Sequence, residues 1–156
     1  MKVVFVGDTR VGKTSIIRRF LKLGLSEKST LGVEVYKIPG DKSIIVWDTS
    51  GQPKFSPYIQ HYLLGARVIV LVFDVSNKSS LDRIEKWAEL IKKRGLENVH
   101  IILVGNKKDL GEQVSEEDVK KISQKIGLPI KYFVKTSALT GENINDLFTK
   151  IYRLLT

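Results

Sequence analysis

Short apolar runs of strand length recur along the chain at Val3 to Val6, Ile44 to Trp47, Val68 to Phe73, Ile101 to Val104 and Ile130 to Val134. Each is rich in β-branched or aromatic residues, the side chains that fit a pleated surface. The run Val68-Ile69-Val70-Leu71-Val72-Phe73 is apolar on both alternating faces, which a strand tolerates where helices cover both sides of a parallel sheet. Between these runs the period becomes helical. Ser15 to Leu23 reads as a helix, Leu81, Ile84, Trp87, Ala88 and Ile91 form one apolar stripe, and Ile144, Leu147, Phe148, Ile151, Leu154 and Leu155 form another. Ser115 followed by Asp118 predicts a capped helix start, with Val119, Ile122 and Ile126 as its buried face. Strands alternating with helices predict a doubly wound α/β sheet, in which ligands sit just beyond the carboxyl ends of the strands. With no repeat, low-complexity segment or linker, residues 1–156 are expected to form one domain.

The residues that follow the strands carry the chemistry. After the first comes Gly7-Asp8-Thr9-Arg10-Val11-Gly12-Lys13-Thr14, in which Gly, four residues, Gly, Lys and Thr appear in order. Glycines let such a loop fold tightly so that successive backbone N–H groups, here from Thr9 through Ser15, point inward, and the following helix adds its positive end. Lys13 adds a charge near the β- and γ-phosphates, and the Thr14 hydroxyl is placed to ligate Mg²⁺. A chance match is expected in about one chain in two hundred of this size; the strand before the motif and the helix after it are the context the mechanism requires. The motif alone does not separate ATPases, small-molecule kinases and GTPases. The second apolar run ends in Trp47-Asp48-Thr49-Ser50-Gly51-Gln52, which offers a carboxylate for Mg²⁺ and a glycine where a γ-phosphate meets backbone. Later runs lead into Asn106-Lys107-Lys108-Asp109 and Thr136-Ser137-Ala138-Leu139.

Taken together and in this order, these motifs resemble those of the Ras-superfamily small GTPases. Ser29-Thr30-Leu31-Gly32-Val33-Glu34 and Trp47-Asp48-Thr49 are closest in character to the Rab branch, and the resemblance spans essentially the whole chain. It implies a three-layer α/β P-loop GTPase fold with a mostly parallel six-stranded sheet and helices on both faces. It also implies binding of GTP or GDP with Mg²⁺ and slow hydrolysis of GTP. Asp109 then accepts the N1–H and N2–H₂ of guanine together, a contact adenine cannot mirror. By the same resemblance Asn106 braces the base-binding loops, Lys107 lies along the ring, the Ala138 N–H meets the guanine oxygen, and Ser137 and Leu139 beside it belong to the nucleotide-binding set. Thr14, Thr30 and Asp48 form the Mg²⁺ set; Gly51 contacts the γ-phosphate, Gln52 orients the attacking water, and Gln52, Lys13 and Thr30 are the catalytic group. Two loops, 25–33 and 51–62, are expected to lose contacts when the γ-phosphate leaves, so that effector, GTPase-activating and exchange proteins can sense the nucleotide.

Several positions depart from the family pattern. The spans from Lys13 to Thr30 and from Thr30 to Asp48 are short, and Leu25 stands nearest to where relatives carry an aromatic against guanine. Pro53 replaces an acidic residue and, with Pro57, restricts the second loop. Thr9 and Arg10 occupy cradle positions that many relatives fill with small residues. Arg10 either supplies phosphate charge from within the chain or is a solvated side chain at the rim. His61 and His100 have no partner pattern and are read as surface or strand-edge residues.

Composition narrows the setting. Twenty-six Lys and Arg against 17 Asp and Glu give a net charge of +9, which favours polyanionic partners. Lys92-Lys93-Arg94 and Lys120-Lys121 sit in helical stretches without interleaved aromatics, so they read as solvated faces and no nucleic acid is expected. The chain has no cysteine, so no disulfide and no prenyl or palmitoyl attachment is expected, and with Lys at position 2 no myristoylation is expected either. With no membrane-length apolar run and no signal peptide, a cytoplasmic monomer is expected, with at most weak electrostatic membrane contact. The remaining alternative is a guanine-nucleotide-binding scaffold that scarcely hydrolyses. A small-molecule kinase would need an acceptor site and lid that the chain leaves little room for.

Overall fold

A computed structural model describes residues 1–24 and 32–156. Its elements run β1 (Lys2–Val6), α1 (Lys13–Phe20), β2 (Val33–Ile38), β3 (Asp41–Thr49), a 3₁₀ helix (Pro53–Tyr58), α2 (Ile59–Leu63), β4 (Ala66–Asp74), α3 (Lys78–Asp82) and α4 (Ile84–Arg94). They continue through β5 (His100–Asn106), a 3₁₀ turn (Lys108–Leu110), α5 (Glu116–Ile126), β6 (Ile130–Lys135) and α6 (Ile144–Leu155). The strands form one sheet in the order β2-β3-β1-β4-β5-β6, with β2 antiparallel to β3 and every other pair parallel.

Alternation along the strands divides the interior into two layers, because successive side chains point to opposite faces. Val3, Phe5, Val68, Val70, Val72, Ile102 and Val104 face one side, where Ile16 and Ile17 of α1 and Leu147, Phe148 and Ile151 of α6 cover them. Val4, Val6, Ile69, Leu71, Phe73, Ile101 and Leu103 face the other, under Leu63, Leu81, Trp87, Ile91, Ile122 and Ile126. Both faces of β4 are therefore covered, as its unbroken apolar run requires. Phe148 is a pivot of the first layer, with its ring stacked 3.8 Å from Phe20 and 6.1 Å from Phe5.

The five parallel strands all end at the same edge of the sheet. Chain order reverses on either side of β1, which pairs with β3 on one flank and β4 on the other, the point at which sheets of this kind bind their ligands. The loops after β1, β3, β4, β5 and β6 meet there.

Three expectations are corrected. The stripe from Leu81 to Ile91 is not one helix, because Arg83 (φ −75, ψ −8) ends α3 and begins α4. Residues 51–62, read as a loop, are largely helical: Pro53 and Pro57 pre-set φ for a 3₁₀ helix, and the buried Ile59 and Leu63 pin the turn that follows. β2 was not among the apolar runs. It is held by its hairpin to β3, and only Ile38 in it is fully buried, so its hydrophobic signal is weak.

Candidate functional site

The loop between β1 and α1 is wrapped around its own lysine. Gly12 takes φ +97 and caps α1, so that Lys13 and Thr14 are the first helical residues, whose N–H groups have no partner within the helix. Gly12 admits no side chain, because a Cβ there would run into the Asn106 amide. Lys13 Nζ donates to the carbonyls of Gly7 (2.7 Å) and Asp8 (2.8 Å) and is almost wholly buried. Burial pushes its ammonium down to about 8, against the opposing pull of the Asp48 and Asp8 carboxylates. Thr9 is half-buried and Val11 buried, whereas Arg10 is exposed and held at φ +70, a left-handed conformation that glycine adopts more readily.

The segment after β3 closes onto this loop. Thr14 Oγ1 donates to Asp48 Oδ2 at 2.5 Å, and Asp48 is fully buried. Thr49 Oγ1 donates to the Phe5 carbonyl at 2.7 Å, tying β3 to β1. Gly51 packs directly on the backbone of Gly7 to Thr9, where a Cβ would collide with the chain. Gln52 is half-buried and opens the 3₁₀ helix, with its N–H on Ser50 Oγ. Thr30 and Leu25 lie outside the described residues, as does most of the 25–33 segment.

Asn106 joins three loops. Its Nδ2 donates to the Val11 carbonyl at 3.0 Å, and its Oδ1 accepts from Thr136 Oγ1 at 2.9 Å and the Ala138 N–H at 3.3 Å. Ser137 Oγ donates to Asp109 Oδ1 at 2.7 Å, orienting an otherwise exposed carboxylate. Lys107 takes φ +65 and its ammonium stands 3.8 Å from Asp74 Oδ2; Leu139 is exposed at the rim. Arg19 of α1 donates to the Leu139 and Thr140 carbonyls at 3.1 Å each, a strut between the first helix and this loop that its amphipathic pattern alone does not reveal. Thr9, Arg10, Val11, Gly12, Lys13, Thr14 and Ser15 thus lie in the loop after β1 and the start of α1, with Asp48 and Gly51 at the end of β3 against them, and Asn106 joins this group to the loops that carry Lys107, Asp109, Ser137, Ala138 and Leu139.

Comparison with known proteins identifies the family. Residues 2–156 match the profile of the Ras family. The chain belongs to that family. It is 37% identical over 159 residues to the Ras-related protein Rab11A of Lotus japonicus, an alignment covering 96% of this chain and 69% of that protein. It is 37% identical over 164 residues to RABA4b of Arabidopsis thaliana (97% and 72% covered) and 36% identical over 159 to Rab11D of Nicotiana tabacum (96% and 70%). This is a Rab-like small GTPase, of a family whose members bind guanine nucleotide and Mg²⁺, hydrolyse GTP as switches, and work with regulators and effectors.

In this Ras-family chain the residues present suit that chemistry. The Thr14 hydroxyl and Asp48 carboxylate bring two hard oxygens together at the foot of the loop, which fits Mg²⁺, an ion usually held by one or two protein oxygens plus phosphates and water. No cluster of three or more His, Cys, Asp or Glu side chains suited to another metal occurs among the described residues. None of the helices among them is long and apolar enough to cross a membrane. His61 and His100 are both exposed.

Asp8 has no role that the motif predicts. It lies inside the phosphate loop, is 8% exposed, and its carboxylate receives Trp87 Nε1 at 2.7 Å, Lys86 Nζ at 3.1 Å and Arg83 Nε. Burial alone would raise this carboxyl, but the hydrogen bonds from Arg83, Trp87 and Lys86 outweigh it and hold the group below the usual carboxylate range.

Proposed function

We propose that this chain is a nucleotide-gated switch whose phosphate loop, 3₁₀ segment and base loops read GTP against GDP and present the difference to protein partners. The observation carrying this reading is the direct packing of Gly51 on the phosphate-loop backbone, because it couples the start of the 51–62 segment to whatever fills the loop. The backbone N–H groups of Thr9 to Ser15 and the Lys13 ammonium cradle the phosphates, while Asp109, set by Ser137, selects guanine over adenine. The Ala138 N–H, whose bond to Asn106 is long, is available to share with the guanine oxygen.

Thr14, Asp48 and, from the first switch loop, Thr30 would hold Mg²⁺, which when bound neutralises charge building on the leaving phosphate oxygens. Gln52 orients a water for in-line attack, Lys13 holds the γ-phosphate against it, and Gly51 adds an N–H to the same group. Hydrolysis is thus positional and electrostatic, and slow without help. The 51–62 segment, built on two prolines and anchored at Ile59 and Leu63, then re-seats as a unit.

Single-turnover GTP hydrolysis in wild type and Gln52→Leu tests this. The variant is expected to bind GTP equally and hydrolyse it at least roughly tenfold more slowly. Tight binding with no turnover in the wild type would leave a scaffold in place of a switch. Capture of partners by GDP-loaded and GTP-analogue-loaded protein should yield different sets; identical sets would refute the gating.

A further inference from the structure

We propose that Arg83, Lys86 and Trp87 are positioning residues for polyphosphate binding, which hold and neutralise the carboxylate that the phosphate loop carries at Asp8. The inference rests on the phosphate site proposed above and asks what that site needs in order to work.

An aspartate is the wrong charge for an anion cradle. Placed one residue after Gly7 and beside the carbonyls that hold Lys13, an unmasked Asp8 would repel phosphate and compete for the lysine. The fold turns it outward onto the α3–α4 segment. Trp87 Nε1 and Lys86 Nζ reach Oδ1 while Arg83 Nε reaches Oδ2, so both oxygens are engaged by three donors, two of them cationic. Arg83 does this from the hitch between α3 and α4, where Nη1 also donates to Ser79 Oγ at 3.1 Å. The Lys86 ammonium also lies over the Trp87 ring, 5.3 Å from its centroid.

The arithmetic of charge gives the direction. Asp8 with Arg83 and Lys86 sums to +1, and without the two cations it leaves −1 next to the phosphates. Each added phosphate charge feels that change, so the loss must grow from GDP to GTP and shrink as salt screens it. A contact that merely supported the fold would weaken both nucleotides alike.

The test measures affinity for fluorescent GDP and GTP analogues, with Mg²⁺, in the full chain. The Arg83→Gln/Lys86→Gln pair is expected to weaken GTP by roughly tenfold and GDP by less, with the gap narrowing at high salt. Adding Asp8→Asn to that pair should recover about half of the loss on a logarithmic scale, because it removes the unmasked charge. A Lys120→Gln/Lys121→Gln variant, the same charge change on the exposed face of α5, should leave both affinities near wild type. If the paired variant unfolds, the single Arg83→Gln and Lys86→Gln variants carry the same graded expectation at smaller size. Equal loss for GDP and GTP, no recovery on adding Asp8→Asn, or an equal effect of the α5 control would each overturn the proposal. A wild type that binds neither nucleotide would instead overturn the phosphate site it rests on.

Discussion

Loading nucleotide at alkaline pH should draw a proton from solution, and the source of the effect is Lys13. Its ammonium is buried against two carbonyls, with its pKa lowered to about 8 by desolvation. Phosphates favour the charged form, so binding raises that value again. At about pH 9 roughly a tenth of empty molecules carry the charge, and each binding event should take up about 0.9 proton; at about pH 7 the figure falls to about 0.1. Calorimetric titration of GDP into nucleotide-stripped protein, repeated in buffers of different ionisation enthalpy, reads the number directly. Uptake below about 0.2 proton at the higher pH, or equal uptake at both, would refute the placement of Lys13. The same group gives a stability test with a fixed sign. A lysine depressed in the fold is charged in both states below about 8 and bears its full burial penalty there. As pH rises from about 8 toward 10.5 the folded form sheds the charge first, so Lys13 contributes a gain for the empty protein of at most about 3 kcal/mol across that window.

Substitutions at three further positions probe the site and its support. Arg10→Gly should raise stability by about 1 kcal/mol, read by thermal melting, because φ +70 strains a residue bearing a Cβ; unchanged single-turnover hydrolysis in Arg10→Ala would remove any catalytic role for the side chain. Asn106→Ala strips the bonds to Val11, Thr136 and Ala138 from a buried position and should cost about 2–3 kcal/mol in denaturant unfolding, with faster GDP release; a loss under about 1 kcal/mol would mean the loops are braced elsewhere. Phe148→Ala empties the layer between β1, α1 and α6 and should cost about 3–5 kcal/mol in urea with nucleotide contacts intact; a cost under about 1.5 kcal/mol would show that the layer collapses to fill the space.

What was legible in the sequence follows from the range over which each constraint acts. Gly7, Gly12, Lys13 and Thr14 are neighbours, and the turn they make is dictated by backbone geometry within one loop, so spacing alone announces it. The β4 run was readable for a similar reason: six consecutive apolar residues, Val68 to Phe73, declare coverage on both faces. β2 was harder because only its pairing with β3 defines it. The hitch at Arg83 was hidden because the apolar stripe passes through it unbroken, and the 3₁₀ helix because prolines read as loop until Ile59 and Leu63 are seen to be buried. Arg19 looked like one more basic residue on an amphipathic helix, while its carbonyl partners lie 120 and 121 residues along the chain. Asp8 combines both cases. A carboxylate inside an anion cradle contradicts its surroundings within a single motif, so the anomaly can be seen without a structure; its resolution depends on donors 75 and 79 residues away, which only the fold brings to it. A charge that contradicts its motif is therefore a reason to look for distant partners, since the loop could not hold phosphate unless something else had already satisfied the carboxylate.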